Sequence, residues 1–454
     1  MSDTIAALAT APGPAAIGIL RLSGPEAVTL ADRVFRAKNK KKLRDTENKK
    51  LVYGGLFARD GALLDTCLCT VSRGPDSYTG EDTAELMCHG SPMALALGLE
   101  ALFAAGARQA LPGEFTKRAF LNGRMDLTQA EAVADVICAE TPETVKNAAG
   151  QLSGAVLRAA ETVSAALTDV CAHFHAALEE DELEPFSLLD YVPALEGAEE
   201  TLTRLLESYG RGSVLRDGVR AVLAGRPNVG KSSLLNALLG YDRALVAQTP
   251  GTTRDTVSES LRLGGVLLRL TDTAGLRESK DPVERAGVRR ALDALENSTL
   301  ALAVFDGGEP LTPGDRETIR AARGAKYAIA VVNKSDLPRR LDVSELEAAF
   351  GRVCFVSALR GEGLDVLGQM VAALFPAPDH LAQGELLTNA RQAEAISRAR
   401  EAVIGAREAA ARGVTPDAAL TDVEAALSAL GELTGRTLRE DVLDRIFERF
   451  CVGK

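Results

Sequence analysis

The segment Gly225-Arg-Pro-Asn228-Val229-Gly230-Lys231-Ser232-Ser233, midway along a 454-residue chain, constrains the fold more than any other feature. The apolar run Val219–Ala224 precedes it, and Leu234–Leu239 follows with a helical pattern. A strand leading through a glycine-rich loop into a helix turns successive backbone N–H groups toward a phosphate at the positive end of the helix dipole. In that frame Lys231 reaches the β- and γ-phosphates and the Ser232 hydroxyl is a Mg²⁺ ligand. A chance glycine-rich turn does not account for strand, spacing, lysine and helix together.

Four further elements lie downstream. Asn333-Lys334-Ser335-Asp336 comes after the strand-like Tyr327–Val332. A carboxylate at Asp336 accepts both the N1–H and the 2-amino proton of guanine; adenine lacks that donor pair and would leave the carboxylate unpaired. Ser357-Ala358-Leu359 follows another apolar run and supports the base from the other side. Between these and the first loop lie Asp272-Thr273-Ala274-Gly275 and Gly251-Thr252-Thr253-Arg254-Asp255. Thr253 offers a second hydroxyl to Mg²⁺, Asp272 holds the ion through water, and the Gly275 N–H senses the γ-phosphate. The set predicts a GTPase. Leu276 stands where many small GTPases carry a water-orienting Gln, so another group must orient the water; Glu278, Asp281 and Glu284 are the nearby carboxylates.

The flanking text divides the rest. Up to about residue 120 it is strand-like and punctuated, with Ile17–Leu22 and Cys67–Val71 as strands and Met93–Ala105 as a helix. Leu127–Glu140, Gly154–Leu178 and Pro193–Tyr209 read as helices, the last stopped by Gly210. Residues 218–376 alternate strand and helix, the pattern of a doubly wound sheet. The chain is helical again from 377, with Thr415-Pro416 opening a helix. The expected architecture is multidomain α/β. It comprises an α+β domain at 1–120 and an all-α helical domain split between 121–217 and 377–454, interrupted by an inserted Ras-like P-loop GTPase domain at 218–376.

Lysine and arginine total 52 against 63 acidic residues, a net charge of −11, which argues against a general electrostatic grip on nucleic acid or anionic lipid. The lysine-rich stretch Lys38–Lys50 reads as a solvated loop more readily than as an RNA contact. Seven cysteines without a paired spacing fit a reducing, cytoplasmic setting, and no run is apolar enough to span a membrane. Cys171, His173 and His175 cannot share one helical face as metal ligands. His89 and His380 carry no assignable role.

The chain resembles the MnmE/TrmE tRNA-modifying GTPases over essentially its whole length. The resemblance rests on Gly225–Ser233, Pro250-Gly-Thr-Thr-Arg-Asp, Asp272-Thr-Ala-Gly-Leu-Arg-Glu, Pro112-Gly-Glu-Phe-Thr-Lys-Arg-Ala-Phe-Leu-Asn122 and the terminal Phe450-Cys-Val-Gly-Lys454. It implies a homodimer joined through N-terminal domains that bind 5,10-methylene-tetrahydrofolate, with 5-formyl-tetrahydrofolate as an analogue. It also implies G domains that dimerise across their nucleotide faces, stimulated by K⁺. Carried over by motif position, the GTP site comprises Asn228 to Ser233, Ala247, Gln248, Thr249, Pro250, Gly251, Thr252, Thr253, Asp272 to Gly275, Asn333, Lys334, Asp336 and Ser357 to Leu359. The K⁺ ligands fall at Asn228, Ala247, Thr249 and Thr252, and the water-positioning glutamate matches Glu284. Folate contacts fall on Arg21, Glu85, Arg124 and Lys454, with Cys451 beside them. The implied activity, with an FAD-bearing partner of the MnmG/GidA kind in a heterotetramer or larger complex, places an aminomethyl or carboxymethylaminomethyl group on C5 of a wobble uridine in certain tRNAs. The competing expectations are a ribosome-assembly switch and a folate enzyme regulated by its G domain.

Overall fold

The computed structural model describes residues 3–179, 187–245, 259–270, 298–375, 384–448 and 450–453. The chain separates into two compact units. One holds residues 1–137, 150–201 and 395–454, and the other holds 138–149 and 202–394. Among the described residues no helix is long and apolar enough to cross a membrane.

The first unit is built on a seven-stranded sheet, ordered β3-β4-β5-β6-β2-β1-β7. Its strands are β1 (Ile5–Leu8), β2 (Ala15–Ser23), β3 (Phe35–Ala37), β4 (Val52–Phe57), β5 (Leu63–Ser72), β6 (Thr83–Gly90) and β7 (Arg108–Gln109). All pairs are antiparallel except β1 with β7. Alternation explains the faces: Leu20, Leu22, Cys67, Cys69, Val71, Ala84 and Leu86 point into a core shared with the helices Ala27–Val34 and Pro92–Ala105. Ile19, Arg21, Leu68 and Glu85 therefore line the opposite face. The helical part closes from both ends of the chain. Leu127 and Ala130 share a core with Leu443 and Phe447, and helix Ala155–Glu179 packs on Pro416–Thr434.

The second unit carries a six-stranded sheet, ordered β13-β12-β11-β8-β10-β9. These strands are β8 (Val219–Ala224), β9 (Glu259–Leu263), β10 (Val266–Leu270), β11 (Leu300–Asp306), β12 (Tyr327–Asn333) and β13 (Val353–Phe355). Only the edge strand β9 runs antiparallel. Among the described residues, helices Lys231–Leu245, Pro313–Ala322, Ser344–Phe350 and Leu364–Leu374 accompany this sheet, and two hydrophobic cores form around alternate residues of the same strands. Every residue of β11 is buried, as a central parallel strand requires. The loop after β8 opens at the carboxyl ends of the strands, between β10 and β11, where such sheets bind ligands.

Two helix ends differ from the sequence reading. The helix from Leu127 stops at Ile137 rather than Glu140, and a new helix, Pro142–Leu152, opens with its proline at the first helical position. The helix expected over Pro193–Tyr209 does not stop at Gly210: Val192–Asp217 runs through Gly210 and Gly212, and Gly218 follows it with φ 73°. Gly212 is there for close approach, since a Cβ would overlap the Leu387 carbonyl oxygen, whereas a Cβ at Gly210 meets nothing within 4 Å. The two alanine substitutions therefore have opposite signs. Gly212→Ala is expected to cost about 1–3 kcal/mol through overpacking. Gly210→Ala should gain up to about 1 kcal/mol from helix propensity. Urea titration of both variants checks the pair.

Candidate functional site

The phosphate loop takes its shape from positive-φ turns and from one buried amide. Asn228 has φ 65° and Gly230 φ 92°. The Asn333 side chain, 2% exposed, donates to the Val229 carbonyl at 3.0 Å and accepts from the Ala358 N–H at 3.0 Å. One amide thus ties the phosphate loop to the base-recognition loop, and it packs where a Cβ on residue 230 would stand. The Lys231 ammonium donates to the carbonyls of Gly225 at 2.7 Å and Arg226 at 2.9 Å, and burial pushes its pKa below the ordinary value. A half-buried ammonium held by two neutral carbonyls gains from an arriving phosphate. Ser232 and Ser233 open the helix Lys231–Leu245. A serine hydroxyl is the hard oxygen donor that Mg²⁺ takes.

At the base end, Ser357 is fully buried and its hydroxyl donates to Asp336 at 2.6 Å. That hydrogen bond first, with Arg360 and Lys334 nearby, holds the Asp336 carboxyl below its ordinary pKa. Lys334 pairs with the buried Asp306 at 2.5 Å. Leu359 is 85% exposed beside this pair of loops. The arrangement presents an ionised acceptor, braced by a hydroxyl, to a donor edge on a ligand.

A second charged site lies in the first unit. Arg21 on β2 and Glu85 on β6 face each other in register and form an ion pair at 2.7 Å. The Arg21 guanidinium lies 5.7 Å from the ring centres of Tyr78 and Phe115, and it donates to the Gly453 carbonyl at 3.3 Å. The tail is pinned there by a bridge between Pro112 and Val452 and by the Gly113 N–H donating to the Cys451 carbonyl at 3.2 Å. Thus Arg21, Glu85 and the Cys451–Gly453 tail come together, and Cys451 is exposed. Arg124 stands apart from this pair, exposed on the turn after helix Glu114–Leu121, with its side chain beside Gly80.

Several expected site residues lie outside the described residues: Ala247 to Thr253, Asp272 to Gly275, Glu278, Asp281, Glu284, His380 and Lys454. The structure adds residues that motif reading passed over. Arg226 bridges Asp315 at 3.2 Å and Glu309 at 2.5 Å, and Asp315 closes a capping box with Thr312. Arg118, with a fully buried side chain, pairs with Asp3 at 2.8 Å, Glu81 at 3.0 Å and Glu114 at 3.0 Å. The i,i+4 spacing of Glu114 and Arg118 was the available signal. His173 is held by the Tyr191 hydroxyl at 2.6 Å and His89 by Asp65 at 2.8 Å.

Residues 4–124 match the family described as GTP-binding protein TrmE N-terminus, and residues 127–451 match the MnmE helical domain. The tRNA modification GTPase MnmE of Symbiobacterium thermophilum is 45% identical over 456 residues, covering 100% of this chain and 99% of that one. The protein of the same description from Chloroflexus aurantiacus is 45% identical over 461 residues, covering 100% of both chains. That from Roseiflexus sp. is 44% identical over 464 residues, covering 100% of this chain and 99% of the other. With the phosphate loop, the braced Asp336 and the tail-bound Arg21–Glu85 pair all carried on one chain, this full-length match identifies the protein as a member of the MnmE/TrmE family.

Proposed function

We propose that the chain is a GTP hydrolase of tRNA modification that acts with an FAD-bearing MnmG/GidA-type protein at C5 of the wobble uridine, in the cytoplasm. The observation that carries this reading is the coexistence of two separate sites. One is a guanine-selective phosphate-loop site. The other is the Arg21–Glu85 pair, with the chain's own tail folded against it. A switch GTPase needs only the first.

At the first site, loop N–H groups take the phosphates and Lys231 transfers its two hydrogen bonds from loop carbonyls to phosphate oxygens. Ser232 and Thr253 would hold Mg²⁺. Asn228, Ala247, Thr249 and Thr252 would hold K⁺, which adds positive charge beside the transferring phosphoryl group. Glu284 orients the attacking water. At the second site, Glu85 offers a carboxylate to the donor edge of a pterin, and Arg21, Arg124 and Lys454 offer cations to a folate tail. When bound, the folate supplies the one-carbon unit, and Cys451 stands within the same tail. Self-association through the first unit is supported by apolar side chains left on the outer sheet face, with Ile17 59%, Tyr53 50% and Leu68 38% exposed.

The test is nucleoside mass spectrometry of bulk tRNA from a strain lacking this protein, with and without the gene restored. Loss and recovery of C5-modified wobble uridine is expected, and an unchanged profile rejects the reading. Glu284→Ala is expected to lower kcat for GTP by about 10²–10⁴, with nucleotide affinity retained and tRNA modification lost. Normal hydrolysis by that variant would remove Glu284 from the mechanism.

A further inference from the structure

The segment from Arg33 to Lys50 holds nine basic and two acidic residues, a net +7 in a chain of net −11, so the remainder carries −18. A chain so negative repels a polyanion everywhere except where cations are concentrated. The structure turns this stretch into a fixed surface. Leu43, 1% exposed, anchors it in the core. Both carboxylate oxygens of Asp32 accept from its backbone, at 2.7 Å from Leu43 N–H and 3.5 Å from Arg44 N–H. The Lys49 N–H donates to Val71 at 2.8 Å, and the Arg73 guanidinium donates to the Arg44 carbonyl at 2.9 Å.

Within the frame the cations divide in two. Lys49 pairs with Asp76 and Lys50 with Glu47, closing the far side. Lys38, Lys40, Lys41 and Lys42 are all exposed and form no ion pair among the described residues. Exposed Arg36 lies over the Phe57 ring at 4.2 Å on the edge strand β3. Lys40 takes φ 58°, a left-handed turn usually left to Gly or Asn, although Asn39 stands next to it. The loop therefore presents unpaired ammonium groups on a fixed turn.

We propose that Arg36 and Lys38–Lys42 form an RNA-binding surface that grips the sugar-phosphate backbone of the tRNA. This rests on the tRNA reading above and adds to it where the RNA is held. Several unpaired cations on five successive residues match a ligand of regularly repeated phosphates. An anionic membrane is the poorer fit, because the only apolar side chain between Lys38 and Lys50 is Leu43, which is buried and leaves nothing to insert into a bilayer. β3 lies four strands from β2, about 19 Å at ~4.8 Å per strand. A backbone gripped at this edge thus leaves the Arg21–Glu85 site free for a nucleotide of the same RNA.

The experiment uses the full-length protein and bulk unmodified tRNA, with fluorescence anisotropy between about 50 and 250 mM salt. The variant is Lys38→Gln, Lys40→Asn, Lys41→Gln, Lys42→Gln. Its charge-matched control is Arg320→Gln, Arg323→Gln, Lys326→Gln, Arg352→Gln, whose residues are exposed at the end of the sheet opposite the nucleotide loop. The loop variant is expected to bind tRNA at least about tenfold more weakly, with the slope of log K against log salt reduced by about three, at 0.7–0.9 per phosphate contact. GTP hydrolysis without tRNA stays at the wild-type rate, and the control keeps its tRNA affinity. Equal losses in loop variant and control would overturn the proposal, as would wild-type tRNA binding by the loop variant. So would a loss confined to vesicles of phosphatidylserine and phosphatidylcholine. If the wild-type protein itself bound no tRNA, the functional reading would fall, and this inference with it.

Discussion

Asp336→Asn is expected to convert the protein from GTP to xanthosine triphosphate. In the proposed site guanine gives Asp336 two donors, and the ionised carboxylate is braced by the Ser357 hydroxyl at 2.6 Å. Hydrogen bonds to a charged group are worth about 1.5–3 kcal/mol each. Losing the charge and setting the Asn amide N–H₂ against the guanine 2-amino group should therefore weaken GTP by about 10²–10⁴-fold, at ~1.4 kcal/mol per decade. Xanthine carries a carbonyl at that position, which accepts from the Asn amide while N1–H still finds the amide oxygen. kcat/KM measured for both nucleotides decides the matter. A variant that keeps GTP and ignores xanthosine triphosphate would remove Asp336 from base recognition. Asn333→Ala should act differently: it cuts the tie between the loops at Val229 and Ala358, so affinity falls for both nucleotides without a change of preference.

The second large effect is structural. Arg118→Met leaves the carboxylates of Glu81 and Glu114 in a partly or fully buried setting with their shared cation gone. Breaking a buried ionic group from one side costs about 3–5 kcal/mol. Hydrogen exchange on β1 and on helix Glu114–Leu121 reads the loss where it occurs, which a whole-chain melt of two units would blur. The deficit depends on pH with a defined sign. Burial alone would raise the Glu114 pKa, but hydrogen bonds from Arg108, the Leu111 N–H and Arg118 outweigh it and hold the carboxyl below its ordinary 4.5. A group depressed in the folded state stabilises above its unfolded pKa, and that contribution disappears as pH falls through the folded value. Wild type therefore loses stability in acid below about pH 4.5, while the variant has less to lose. The gap between them should shrink between pH 5 and 3. A gap constant across that range would mean that Glu114 is not the group responsible.

The described loops of the candidate nucleotide site were legible in one dimension, because each is contiguous. Gly225–Ser233, Asn333–Asp336 and Ser357–Leu359 each carry donor, acceptor and turn within a few residues. The order of strands and helices around them follows from periodicities of 2 and 3.6. Helix limits were less legible. Gly210 reads as a stop, yet the glycine that matters is Gly212, whose reason is a carbonyl 175 residues away at Leu387. The helix from Leu127 ends three residues before the expected Glu140, and Pro142 opens the next one.

The sequence by itself determined the class of fold, the GTPase motifs and the family, because each depends on residues close together in the chain. Only the tertiary structure decided which charges meet. It put Arg21 against Glu85 and the Gly453 carbonyl, 432 residues distant, and buried Arg118 among Asp3, Glu81 and Glu114. It also left Lys38 to Lys42 unpaired among the described residues while neutralising Lys49 and Lys50. Periodicity reports the face on which a side chain lies but not its partner, and the energy of a charge is set by partner and burial.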